Sequence, residues 1–257
     1  MKAQVITKPG CQKQCGDLLI PYPFGIKSED LDCAINPSFE LKCDDSFHPP
    51  LAFSLTSDLV QFQHVHDISD TEVRVSCVVA YMCYNQSGGF TEGYIVQNGL
   101  DGTPFTYSTA NVLTTVGCDD YANVYNDPRS FIPNLVFSDR FMPKGCSTTC
   151  LPGEKIPKDE CSGSGCCQVP ISFQKYFNIH VGTYNNHRNV SSFNECGFAF
   201  IGEKSRFKFR GISDLNDTTF RDRIADIPIV LDWAIGDKNC SEAVRKWKVR
   251  VTFYMCS

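Results

Sequence analysis

The chain has 257 residues, enough for one large all-β domain or two smaller ones, with fifteen cysteines and a formal net charge of −5. That total gives no support to a general polyanion-binding or nucleic-acid role, and no apolar run approaches the length needed to span a bilayer. Charge is uneven: residues 1–108 hold six Lys/Arg against thirteen Asp/Glu, and residues 109–257 hold eighteen against sixteen, so an anionic ligand should prefer the second half.

In chain order, the stretch 11–43 comes first, with Cys11, Cys15, Cys33 and Cys43 around Ile20-Pro21-Tyr22-Pro23-Phe24-Gly25. Pro21 and Pro23 fix φ and remove two backbone donors, which favours an extended loop. Gly25 is expected to permit a turn. The expected result is a disulfide-pinned plug with Tyr22 and Phe24 packed inward. From 51 to 84 the pattern alternates like strands, at Leu51/Phe53/Leu55, Val60/Phe62/His64 and Val73/Val75/Cys77, with a turn at 67–70. Gly88-Gly89 and Asp101-Gly102 mark further turns. A second strand group begins at Pro104-Phe105-Thr106-Tyr107-Ser108, which places a boundary near residue 105 and two cysteine-rich modules at 9–104 and 105–257. Further strands are predicted at 198–201, 206–210 and 227–235, a short helical turn at 222–226, and helix or strand at 242–254. The fold class is therefore mainly β and disulfide-rich: two antiparallel, sandwich-like modules with few short helices.

The cysteines show no paired C-x2-C clusters or Cys/His quartets of zinc spacing, so a disulfide framework from an oxidising compartment is expected. Its members are Cys11, Cys15, Cys33, Cys43, Cys77, Cys83, Cys118, Cys146, Cys150, Cys161, Cys166, Cys167, Cys196 and Cys240. Adjacent Cys166 and Cys167 point to opposite sides of an extended chain and should bridge to different partners. Connectivity stays open at this level. Fifteen is an odd count, which makes Cys256 the first candidate for an unpaired thiol. Glycosylation sequons at Asn85, Asn189 and Asn216, with a weaker one at Asn239, agree with an extracellular protein. The first residues lack the apolar core of a signal peptide, so a mature or excerpted region is expected.

Several motifs occur in a fixed order. They are Cys11-x3-Cys15-Gly16, Ile20-Pro21-Tyr22-Pro23-Phe24-Gly25, Cys33 with Phe39-x-Leu41-x-Cys43, Pro104-Phe105-x-Tyr107-Ser108 and Gly117-Cys118-Asp119. Later come Gly145-Cys146-x3-Cys150, Cys161-Ser162-Gly163-x-Gly165-Cys166-Cys167-Gln168, Cys196-Gly197-Phe198-Ala199-Phe200 and Val230-Leu231-Asp232-Trp233-Ala234-Ile235. The set resembles the extracellular region of plant wall-associated receptor kinases, over about residues 9 to 240. The resemblance implies a galacturonan-binding module at the start and a second family module after it. It also implies a location at the cell surface or wall, ahead of EGF-like repeats, a membrane span and a cytoplasmic kinase. None of those later parts is in this chain, so any membrane contact or kinase activity would lie outside it. The ligand implied is acidic cell-wall polysaccharide, particularly de-esterified homogalacturonan. In the family the binding residues are basic and belong to the first module, whereas here that half is acidic.

That departure moves attention to Lys204-Ser205-Arg206-Phe207-Lys208-Phe209-Arg210. As a strand, it would place Lys204, Arg206, Lys208 and Arg210 on one face at about 6.6–7 Å intervals, a ladder suited to a polymer with a carboxylate on each sugar. The plainer reading is a solvated face over Phe207 and Phe209. Lys246-Trp247-Lys248-Val249-Arg250 has the same shape. Asp44-Asp45 and Asp119-Asp120 read as surface turns, with calcium entering only as a bridge to pectate. His64 and His66 share a strand face without a third ligand in view, so no resident metal or other cofactor is expected. No G-x-S-x-G, H-E-x-x-H or P-loop pattern occurs, which points to a non-catalytic module. The alternative is a protein-interaction ectodomain that recognises a co-receptor or a pathogen-derived protein.

Overall fold

The computed structural model describes residues 7–54, 64–76, 78–126, 144–151, 155–172 and 175–235. The first strands are β1 (Gln14–Cys15), β2 (Leu18–Leu19), β3 (Gly25–Ile26), β4 (Glu40–Asp44), β5 (Leu51–Ser54), β6 (Val65–Ile68) and β7 (Glu72–Ser76). Next come β8 (Ala80–Tyr84), β9 (Phe90–Tyr94), β10 (Val96–Gly99), β11 (Phe105–Tyr107), β12 (Asn111–Val116) and β13 (Asp119–Tyr125). The last are β14 (Lys144–Thr149), β15 (Cys166–Pro170), β16 (Tyr176–Thr183), β17 (Cys196–Glu203) and β18 (Pro228–Trp233), with helices α1 (Ile212–Leu215) and α2 (Phe220–Ala225) before β18. The class is mainly β, as the alternation requires.

Three larger sheets run β10-β16-β13-β14, β11-β18-β7-β6 and β15-β12-β17-β8-β9, beside the smaller β1-β2 and β3-β4-β5. Every pairing is antiparallel except β3 with β4. Strands from either side of residue 105 lie side by side: β7 with β18, β8 with β17, and β10 with β16. The boundary expected there falls within shared sheets. An aromatic cluster joins the same two parts of the chain. The Phe24 ring lies 5.1 Å from Phe39, 6.2 Å from Phe105 and 5.7 Å from Trp233. Motif residues 209 positions apart thus close a single core, because Ile20, Phe24 and Phe39 are too apolar to be left wet.

Twelve cysteines form six disulfides among the described residues: Cys11–Cys33, Cys15–Cys43, Cys83–Cys196, Cys118–Cys150, Cys146–Cys167 and Cys161–Cys166. Cys166 and Cys167 do take different partners. The first two bonds interlock around the buried Ile20 and Phe24, as expected of a pinned plug. Cys77, Cys240 and Cys256 lie outside the described residues, as do Asn239, the 246–250 alternation and the 242–254 segment.

Two local expectations need correction. Gly25 does not make a turn; it begins β3, and a Cβ there would sit 2.3 Å from the Cys33 carbonyl carbon. The residue is glycine because two backbones meet. Asp67 and Ile68 close β6, and the turn comes one step later at Ser69, whose hydroxyl accepts from the Glu72 N–H at 3.1 Å.

Candidate functional site

The basic segment departs from the expected ladder. Strand β17 ends at Glu203, and Lys204–Arg206 form a single 3-10 turn, so the run 204–210 has no strand partner. Phe207 and Phe209 are buried, and Lys204, Arg206, Lys208 and Arg210 are exposed, so the alternation reports burial without sheet pairing. The four cations also differ from one another. Arg210 Nε donates to Asp214 at 2.6 Å and its Nη2 to Asp217 at 2.8 Å, while Arg223 Nη2 reaches the same Asp214 oxygen at 2.5 Å. Asp214 is buried, and two guanidiniums stand against it. Arg210 is therefore a structural clamp on the turn before α1, its guanidinium pKa raised first by the Asp214 hydrogen bond. Replacing Arg210 with glutamate is expected to lower the thermal unfolding midpoint without selectively changing ligand affinity, as a melt paired with a binding titration will show.

Arg206 is the cation that opens onto a concave surface. A cleft of about 270 Å³ is lined by His66, Asp67, Arg74, Arg206, Arg223, Asp226, Ile227 and Pro228. Arg74 is held there by a fork onto Glu203, Nε to Oε2 at 3.0 Å and Nη2 to Oε1 at 3.3 Å, and it also touches Glu72 and Asp67. These contacts hold the Glu203 carboxyl below its ordinary range, the Arg74 hydrogen bond being the main cause. Arg206 shares Glu203 at 3.5 Å while remaining 61% exposed, and Lys204 and Lys208 have no ion pair among the described residues. Asp67, Asp226 and Glu203 largely offset the cleft's cations. Sequence reasoning missed Arg74 and Arg223 here because the Arg74–Glu203 pair spans 129 positions.

The acidic pair Asp119-Asp120 is not a surface turn. Both residues begin β13, and Asp120 is completely buried against His187, with Nε2 to Oδ1 at 2.7 Å. His187 Nδ1 lies 2.8 Å from the Asn194 carbonyl oxygen, which only accepts, so Nδ1 carries a proton. The Asn194 side chain accepts from Cys118 N–H and donates to the Cys196 carbonyl, both at 2.8 Å. A Cβ on Gly117 or Gly197 would come within 2 Å of the Asp120 carboxylate, at 1.8 and 1.9 Å. The two motifs Gly117-Cys118-Asp119 and Cys196-Gly197 therefore meet at one buried pair. Burial pushes the Asp120 carboxyl up. For His187, burial alone would lower the pKa, but the hydrogen bond and charge of Asp120 outweigh it and raise it.

His64 and His66 do meet, with ring centroids 4.3 Å apart, and burial lowers both. Among the described residues no group of three or more His, Cys, Asp or Glu is arranged to hold a metal. Asn85, Asn189 and Asn216 are all exposed, and Asn85 Oδ1 accepts from Ser87 N–H at 3.0 Å in an Asx turn.

Residues 11–78 match the family model described as wall-associated receptor kinase galacturonan-binding. Wall-associated receptor kinase 2 of Arabidopsis thaliana is 30% identical over 239 residues, covering 90% of this chain and 28% of that protein. Wall-associated receptor kinases 4 and 1 of the same plant are each 28% identical, over 93% and 94% of this chain and 30% of their own lengths. The chain thus spans about a third or less of the curated relatives it matches. No solved structure matches it. Its ordered motifs meet in one disulfide-stapled core, and over 90% or more of its length the chain is similar to a stretch of these wall-associated receptor kinases.

Proposed function

We propose that the chain is a non-catalytic sensing module that binds acidic cell-wall polysaccharide, with de-esterified pectin as ligand. The observation that carries this reading is the match of residues 11–78 to a galacturonan-binding family. Outward-facing Lys204, Arg206 and Lys208 supply the cationic surface, and Arg210 is withdrawn from it by Asp214. Guanidinium takes a carboxylate bidentately, whereas the lysines act as mobile point charges. Calcium belongs to this reading only as a bridge between protein carboxylates and pectate. Any kinase activity belongs to the parent receptor.

Equilibrium titration with oligogalacturonides of defined length and methylation tests the proposal. Reversing Lys204, Arg206 and Lys208 together to glutamate is expected to weaken de-esterified chains by about 10- to 100-fold at low salt, with the difference shrinking at high salt. Equal, negligible affinity for esterified and de-esterified chains in the unaltered protein would remove the glycan reading. The second reading, a co-receptor or pathogen-protein interface, is favoured by β9. All five of its residues are exposed, among the described residues it pairs with β8 on one side, and Phe90 and neighbouring Ile95 are 61% and 45% exposed. The same triple reversal should leave that interaction unchanged.

A further inference from the structure

We propose that the outer face of β13, β14 and β16 carries a sugar-stacking subsite, an aromatic shelf that takes an uncharged pyranose face. An open cleft of about 360 Å³ is lined by Tyr121, Asn123, Gly145, Cys146, Ser147 and Tyr184. The two tyrosine rings have centroids 5.2 Å apart and planes inclined at 49°, forming a corner with one wall and one floor. The floor is built by glycine. Tyr121 pairs with Gly182 across the strands, and a Cβ there would lie 2.4 Å from Tyr121 Cζ, so the ring can lie down over β16. Gly145 does the same for Asn123, whose Oδ1 occupies the space 2.4 Å from where a Cβ would stand. Any larger residue at either glycine would put a ridge across the shelf.

The wall is exposed yet held. Tyr184 is 61% exposed even with the Tyr121 ring beside it. Its backbone is clamped by Asp119: the Tyr184 N–H donates to the Asp119 carbonyl at 2.9 Å. The Asp119 carboxylate accepts from Thr183 Oγ1 and Asn185 N–H at 2.8 Å, and from His187 N–H at 3.1 Å. Asn186 and His187 both have φ in the left-handed region, 52° and 56°, which non-glycine residues hold only when surrounding contacts enforce it. Here the enforcing contacts are Asp119 and the buried Asp120–His187 pair. The aromatic wall is therefore preorganised, which lowers the ordering cost of binding.

Chemistry selects the ligand. Tyrosine rings offer a flat apolar face with a polar rim, suited to the C–H face of a pyranose. Asn123 supplies a donor and an acceptor, and Ser147 a hydroxyl, at the edge where sugar hydroxyls would lie. Among the described residues that line it, none is a Lys, Arg, Asp or Glu. This subsite should read the sugar ring rather than its carboxylate, so methyl esterification should not abolish contact.

The choice of a galacturonan as probe rests on the reading above, while the shelf does not. The experiment titrates the whole chain with fully methyl-esterified and with unsubstituted oligogalacturonides, at low and high salt. Expected is salt-insensitive binding of the esterified oligomer, weakened roughly tenfold by Tyr184→Ala, the scale of one lost aromatic stacking contact. Tyr184→Phe should remain within about twofold, because the ring is kept. Absence of esterified-oligomer binding, or equal affinity in Tyr184→Ala, overturns the shelf. If unsubstituted chains still bind through Lys204, Arg206 and Lys208 in that case, the acidic-polysaccharide reading survives alone. Binding of both oligomers through Tyr184, with the unsubstituted one unaffected by reversal of Lys204, Arg206 and Lys208, upholds the shelf and overturns the acidic reading.

Discussion

Replacing His187 with alanine should lower the unfolding free energy by about 3–5 kcal/mol, the scale for breaking a buried ion pair from one side. Asp120 is wholly buried, and its Oδ1 faces His187 Nε2 at 2.7 Å. Without the imidazole, the carboxylate keeps, among the described residues, a long 3.4 Å contact from the Asp119 N–H. Denaturant titration measures the loss, and a change below about 1 kcal/mol would show the pair to be dispensable.

The pair also predicts a pH dependence with a definite sign. Nδ1 already carries a proton for Asn194, so the Nε2–Oδ1 contact requires one more, on the ring or on the acid. Both groups are shifted upward, Asp120 first by burial and His187 through Asp120. A group whose pKa is raised on folding contributes stability that is complete below its unfolded value and is lost as pH rises through the folded one. The loss should therefore begin above about pH 6.5, the ordinary histidine value. Neighbouring Asp119 also favours the extra proton, and Tyr84 stacks on the ring at 5.4 Å. In Asp120→Asn the amide can donate to a neutral Nε2, so stability should become flatter over the same range. A slope unchanged by that substitution would assign the titration elsewhere.

The second large effect is expected at Phe24. Phe24→Ala should cost about 3–5 kcal/mol, since a ring only 2% exposed is removed from a packed aromatic cluster. Its partners fix how the loss is distributed. Phe39 belongs to the N-terminal plug, whereas Phe105 and Trp233 belong to β11 and β18. Unfolding should therefore remain one cooperative transition at a lower midpoint, with Trp233 fluorescence and far-ultraviolet dichroism changing together. Two separated transitions, with the tryptophan signal unmoved, would mean that the plug folds apart from those strands.

These contacts show where sequence reasoning reaches its limit. Period-two alternation located β7 and identified Phe207 and Phe209 as inward-facing, and continuous apolar runs located β17 and β18, because burial of apolar surface is a local demand on the chain. It could not decide whether 204–210 was a strand, since an unpaired extended segment over a core alternates in the same way. The same limit hid the shelf. Tyr121, Asn123 and Tyr125 do alternate with buried Asp120, Ala122 and Val124, but Tyr184 joins them only through the Asp119 clamp.

By itself, then, the amino-acid sequence determined the β-rich class, the oxidised cysteine framework, the family motifs and the plug around Ile20 and Phe24. Each of these rests on composition or on residues near one another in the chain. Tertiary structure alone decided the disulfide partners, the sharing of sheets across residue 105, the neutralisation of Arg210 by Asp214, and the burial of Asp120. Those outcomes depend on groups up to 160 positions apart, as in Glu72 and Asp232 across β7 and β18, and electrostatics and hydrogen bonding act through space rather than along the chain.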